Sequence, residues 1–232
     1  MSTIALACET IKDEIKLCAE KVGSRIPIHW IKSGLHNSPE RLRHYLQTEI
    51  TAAEAGAPAQ ILLLFGYCGN ALLGLSSPRC PLVIPRVDDC ISLLLGGNRR
   101  RHELNKKAMP YYLTKGWLRH ENNLWHEYHF CLKKYGPKQT REVYQLMLGR
   151  YKNLCVIQTG AYELEDILPQ TRDLAASLQL QHQIIDGALE LIEKALLKQW
   201  DDDFAIIEAG STVDLKALRL LPEPLPRADL GG

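Results

Sequence analysis

Residues 61–97, ILLLFGYCGNALLGLSSPRCPLVIPRVDDCISLLLGG, constrain the fold more than any other stretch. Two unbroken apolar runs, 60–65 and 81–84, each stop at a polar segment that carries a thiol. Unbroken rather than alternating apolar character predicts strands buried on both faces, as in a parallel sheet. The same form, an apolar run ending at a turn, recurs at 3–7 before Cys8-Glu9-Thr10 and at 26–31, 111–113 and 153–158. Residues 204–213 read as a final strand and loop.

Helical patterns fill the intervals. Apolar residues at 11, 15, 18 and 22 predict a helix with Thr10 as its N-cap. Ser38-Pro39 reads as N-cap and first helical position of a helix over 39–55. A short helix is expected over 70–75, and another through Leu95 capped by Asp88 or Asp89. Further helices are expected over 121–135, 138–151, 166–178 and 182–200, with a break at Gly136-Pro137. The last has the clearest apolar face: Ile185, Ala188, Leu189, Ile192, Leu196 and Trp200. The alternation predicts an α/β fold, a mostly parallel sheet flanked by helices in a Rossmann-like arrangement. One domain is expected over 1–215, with 97–136 as the place where it would divide into two lobes, and a loose tail over 216–232.

Charge narrows the partners. Lys plus Arg is 28 against 27 acids, so no whole-protein field draws nucleic acid or an anionic membrane. The basic run 98–107 lacks aromatic interleaving and reads as a solvated helix face. Apolar runs are far shorter than the roughly 20 residues a membrane span needs. The first helix is acidic and no basic segment precedes it, which points away from a signal peptide and toward the cytoplasm.

Seven cysteines without a CxxC pair disfavour a zinc ribbon or a thioredoxin-type motif. Sites in open parallel sheets form beyond the carboxyl ends of strands. Cys8, Cys68 and Cys90 each follow a separate expected strand by a few residues, whereas Cys18, Cys131 and Cys155 fall at core positions and Cys80 is ambiguous. Glu9, His36, Asn70, Arg86, Asp88 and Asp89 share the edge with the three thiols. Three thiolates could hold zinc with His36 or water as fourth ligand, or three irons of a 4Fe-4S cluster with one iron open to substrate. Alternatively Cys68 alone is a nucleophile at its glycine turn, or the thiols have no catalytic role. Glu9, His36 and Asp89 are the candidate acid/base groups. Gly66, Gly69, Asn70 and Arg86 are the candidate cofactor-binding groups, with Asn70 opening a helix whose amides face the turn. His126 and His129 are spaced for a metal but lack a carboxylate or cysteine in register. No GxGxxG, Walker A, GxSxG or HExxH pattern occurs.

The segments ACETIKDEI, GLHNSPERLR, LLFGYCGNALLGL, PLVIPRVDDCISLLLG, YYLTKGWL and FAIIEAG resemble the family catalogued as domain of unknown function 1638, in order, over roughly residues 3–213. The resemblance implies a setting in anaerobic bacteria and methanogenic archaea beside corrinoid-dependent methyltransferases, hence one-carbon metabolism. It carries over at Cys8, His36, Cys68, Cys90 and Gly116-Trp117. Where the pattern would have His-Asp-Cys, this chain has Asp88-Asp89-Cys90. The one-cysteine-per-strand layout is also similar in style to quinolinate synthase and the diphthamide synthesis enzymes. The expected function is thus a metal- or iron–sulfur-binding protein acting on a small molecule. The alternatives are an accessory module that binds a corrinoid protein or its cofactor through 99–107 and 117–130, and a cysteine-nucleophile enzyme.

Overall fold

The computed structural model describes residues 2–107, 109–119 and 123–218, with the side chain of His36 left out. Residues 120–122 and most of the expected tail lie outside the described residues. Two sheets carry the fold. The first begins with β1 (Thr3–Cys8), β2 (Ile28–Ile31), β3 (Gln60–Leu64) and β4 (Leu82–Pro85), all parallel, and ends with β8 (Phe204–Ile207) antiparallel to β4. Their order is β2-β1-β3-β4-β8. The second sheet is β5 (Pro110–Leu113), β6 (Asn153–Gln158) and β7 (Gln181–Asp186), all parallel.

Helix α1 (Lys12–Val22) joins β1 to β2, and α2 (Pro39–Glu54) joins β2 to β3. The chain therefore steps outward from β1 to β2 and then back across to β3. That reversal opens a crevice between the carboxyl ends of β1 and β3, where open α/β sheets bind ligands. The strands there are apolar because both faces are covered. Ala5, Leu6, Ala7, Ile61, Leu62, Leu63 and Leu64 have no exposed surface. α3 (Cys90–Leu94) and α4 (Asn98–Lys107) lead to the second sheet, where α5 (Lys115–Leu118) follows β5 and α6 (Leu124–Leu148) joins it to β6. α7 (Leu168–Ser177) leads to β7, and α8 (Glu190–Leu196) returns to the first sheet. One core cluster reaches through both, since Tyr112, Cys155 and Ile157 of the second sheet pack with the first sheet's residues, and a second cluster around Leu113, Leu154 and Val156 covers the other face of the second sheet. The chain of bonds continues the first cluster: Leu95 bridges Ala188, whose amide donates to the Leu94 carbonyl at 2.8 Å.

Three expectations need correction. The helix predicted over 182–200 is split into β7 and α8. Residues 181–186 (QHQIID) contain β-branched Ile184 and Ile185 and pair along their whole length with β6, and Gly187 follows against the Gln158 carbonyl. A vacant sheet edge outweighed a helical apolar period. The helix predicted over 70–75 is a series of turns. Cys68, Gly69 and Asn70 all have positive φ, at 48°, 62° and 77°, and a right-handed helix cannot start from three left-handed residues. Thr10 does not cap α1; it lies within a 3-10 turn over Glu9–Ile11, and no side chain caps the helix that follows.

Other local signals hold. Ser38 is the N-cap of α2 by backbone geometry and Pro39 its first residue, although the serine hydroxyl makes no capping bond. Asp89 caps α3 by accepting from the Ser92 amide at 3.0 Å. α6 breaks at Gly136 (φ 79°, ψ 169°) with Pro137 inside it.

Candidate thiol site at the sheet crevice

Cys8 ends β1, and the first turn of chain after it stays at the sheet's edge. The segment after β3 runs beside the segment after β4, extending the strand pairing. The Tyr67 amide donates to the Val87 carbonyl at 2.9 Å and the Cys68 amide to the Asp88 carbonyl at 3.0 Å. Gly66 makes that approach possible: a Cβ there would sit 2.1 Å from the Asp89 Cα. The two thiol-bearing loops are thereby pressed together. The Cys90 thiol interacts electrostatically with those of both Cys8 and Cys68.

Cys8 and Cys90 are buried at 7% and 6% exposure, while Cys68 is half-buried. The Cys8 thiol is held well above its usual pKa by the contact with Cys90 and by burial. Cys90 is also pushed well up, by Cys68 first and then by burial, against the opposing effects of the Cys8 thiol and the Gly66 backbone. All seven cysteines are free thiols. The three converge on one cavity of about 360 Å³, also lined by Thr10, Lys32, Phe65, Asp88, Asp89 and Trp117. Such a volume suits a small molecule. Thr10 Oγ1 is buried without a hydrogen-bond partner, near enough to Cys8 to favour its thiolate. Trp117 comes from the second sheet's α5, which seats against the first through Gly116; a Cβ there would lie 1.8 Å from the Thr10 carbonyl oxygen.

The structure thus brings together Cys8, Cys68 and Cys90, and adds Gly69 and Asp89 to the cavity wall. The Asp89 carboxylate is already engaged, capping α3 and pairing with Arg101. Asp88 pairs with His102 at 3.0 Å. Glu9 stands outside the cavity's lining, with Lys12 at 3.9 Å, so the catalytic part expected of it has no geometric support. Asn70 is exposed and opens no helix. Arg86 is turned away: Nε donates to the Ala217 carbonyl and Nη1 to the Asp202 carbonyl, tying down the C-terminal segment. His36 belongs to the 3-10 turn Leu35–Asn37, ahead of α2. His129 packs edge-on to Trp125 at 4.0 Å, and α6 lines no part of this cavity. Sequence reasoning missed Thr10 and Lys32 as cavity residues. Both follow strand ends by one or two positions, the same signal that marked the thiols.

Chemically, the arrangement is a set of soft donors lining one pocket, with Cys8 and Cys90 buried at its floor and Cys68 and Lys32 on its open side. Among the described residues, no group of three or more His, Cys, Asp or Glu side chains has the arrangement of a ready-made metal site. No helix among them is long and apolar enough to cross a membrane.

Residues 30–196 match the family described as "Protein of unknown function (DUF1638)". The chain belongs to that family. The matched span contains Cys68, Cys90, Gly116 and Trp117, while Cys8 precedes it. No curated protein and no solved structure matches the chain.

Proposed function

We propose that this family member binds a thiophilic metal centre, a single ion such as zinc or an iron–sulfur cluster, through Cys8, Cys68 and Cys90. The observation that carries this reading is the convergence of three thiols, from three different strand ends, on one small-molecule-sized cavity. The Cys8 and Cys90 thiols resist ionisation, because a thiolate at either would be desolvated and would meet a neighbouring thiol's charge. A bound cation reverses that balance, deprotonating the thiols and neutralising the charge they gain. Drawing the three sulfurs onto one centre asks the loops at 66–70 and 88–90 to close on Cys8. Cys68 sits at φ 48°, strained for a residue with a side chain, and strain of this kind gathers at functional sites.

The chain's own residues then divide the work. Thr10 and the Gly66 backbone stabilise thiolates at Cys8 and Cys90. Phe65 and Trp117 wall the cavity, and Lys32 offers a cation to an acceptor on the substrate. A three-thiolate centre leaves a ligand position open, where a substrate atom can be polarised. For a metabolic setting we carry forward the one that the family resemblance implies, anaerobic one-carbon chemistry beside corrinoid proteins. Metal analysis and absorption spectra of protein purified without oxygen test the reading. About one centre per chain, lost in Cys90→Ala, is the expected result; metal-free protein after reconstitution with zinc and with iron plus sulfide would reject it.

A second reading rests on the exposure of Cys68 alone among the three, at a left-handed position in a glycine turn. Such a residue could act as a nucleophile. It predicts one rapidly alkylated cysteine and no metal dependence.

A further inference from the structure

A second cavity adjoins the thiol cavity, with Ile91 and Trp117 lining both. Its volume is about 270 Å³. Tyr111 and Tyr112 of β5, Trp117 of α5, and Tyr151 just before β6 supply aromatic walls, and Arg101 and Asn105 of α4 supply the polar groups. From this we propose a binding site for a planar aromatic acid, its ring held among the tyrosines and its carboxylate met by Arg101 and Asn105.

The rings are already arranged for aromatic contact. Tyr111 and Tyr151 meet edge to face at 5.5 Å between centroids, and the Arg101 guanidinium stacks over Tyr112 at 5.5 Å. Rings so placed favour a further aromatic partner. The polar groups present donors. Arg101 reaches Asp89 through Nη1 only, which leaves the other guanidinium N–H groups for an oxyanion. Asn105 accepts from the Tyr112 hydroxyl at 3.2 Å through Oδ1, so its amide N–H₂ is the group it can offer. Tyr111 and Tyr112 are both pushed up to about 12 by burial, so both remain neutral phenols. A ring with an anionic acceptor at one edge satisfies both parts of the wall. A neutral ring leaves the donors unused, and a simple anion leaves the rings unused.

The site does not depend on what the thiols bind, and the test separates the two cavities. Isothermal calorimetry on the full chain would compare indole-3-carboxylate with indole. We expect saturable binding of the acid, about tenfold or more tighter than indole. Arg101→Met should bring the acid down to the level of indole. Tyr151→Leu should weaken both about three- to tenfold. Lys32→Gln, which removes the cation of the thiol cavity, should change neither. No saturable binding of the acid, or loss through Lys32→Gln with Tyr151→Leu unaffected, would overturn the proposal. Should Tyr151→Leu fail to fold, ring-proton shifts in the unmutated protein decide: shifts at Tyr111 and Tyr151 support the site, and shifts confined to other residues reject it.

Discussion

The two parallel sheets end differently at their carboxyl edges. In the first, β1, β3 and β4 run out into Cys8, Cys68 and Cys90, and the edge encloses a cavity. In the second, β5 and β6 run out into Thr114 and Thr159, and β7 into Gly187. That edge is spent on contact. Gly116 meets the Thr10 carbonyl, Thr159 Oγ1 donates to the buried Glu14 carboxylate at 3.1 Å, and Gly187 packs against the Leu94 carbonyl. The same topology therefore yields a cavity in one sheet and a junction in the other. Both edges use a glycine for close backbone approach, Gly66 against Asp89 and Gly116 against Thr10; the first edge differs in also carrying thiols and a left-handed turn, which line a cavity. The junction serves the site by carrying Trp117 into the cavity wall.

The largest expected effect breaks the first edge alone. Cys90→Ala removes the central thiol and should weaken metal binding about a thousandfold, if ligands share the binding energy of a thiolate site roughly equally. Competition with a chromogenic chelator checks it.

Next comes a paired substitution that treats both edges alike. Gly66→Ala would press a Cβ into the Asp89 backbone, and Gly116→Ala would press one onto the Thr10 carbonyl. Each should cost about 4 kcal/mol in denaturant unfolding, because backbone rather than a flexible side chain must yield. Equal losses would sharpen the comparison. Tolerance of Gly116→Ala would break it, by removing the close contact that defines the junction.

A smaller effect belongs to the junction only. Glu14 is 1% exposed, and its Oε2 has no hydrogen-bond partner. Burial raises its pKa from 4.5 to about 7, with Thr159 and Arg119 opposing and Asp13 reinforcing. The folded state thus holds the proton more tightly than the unfolded chain. Its contribution is fully present below about pH 4.5 and is lost as pH rises toward and through 7. The span corresponds to about 3 kcal/mol. Glu14→Gln should flatten stability between pH 5 and 8 and raise it at pH 8, by urea unfolding; an unchanged pH profile would contradict this account of the junction.

The smallest effect is a control from the core. Cys18 is fully buried on α1, and burial raises its pKa to about 12. Cys18→Ala should cost about 1 kcal/mol of stability and leave metal content unchanged. Loss of metal with Cys18 would undo the division of the thiols into site and core.

That Cys8, Cys68 and Cys90 line one cavity was legible in the sequence, because it follows from strand ends, and apolar runs mark strand ends well. Cys8, Cys68 and Cys90 could be assembled from three runs and a topological rule. Lys32 and Thr10 obey the same rule, but a lysine, and a threonine whose position also suits an N-cap, carry no mark of a site in the sequence. Other features depend on tertiary neighbours and leave little local trace. The left-handed turn at 68–70 contains two residues, Cys68 and Asn70, that read as helix or loop with equal ease. The strand Gln181–Asp186 has an apolar spacing that also suits a helix, and only the open edge of β6 decides between them. Glu14 looks like any helix carboxylate until the second sheet covers it. The tyrosine cavity draws on segments around 101, 111, 117 and 151, whose meeting no local pattern announces.

The most direct test of the thiol site is anaerobic titration of the reduced protein with cobalt(II), followed by absorption spectroscopy. The account predicts one equivalent bound with a thiolate-to-cobalt charge-transfer band, abolished by Cys90→Ala and retained in Cys18→Ala. No such band, together with equal alkylation of Cys8, Cys68 and Cys90 whether or not metal is present, would contradict it.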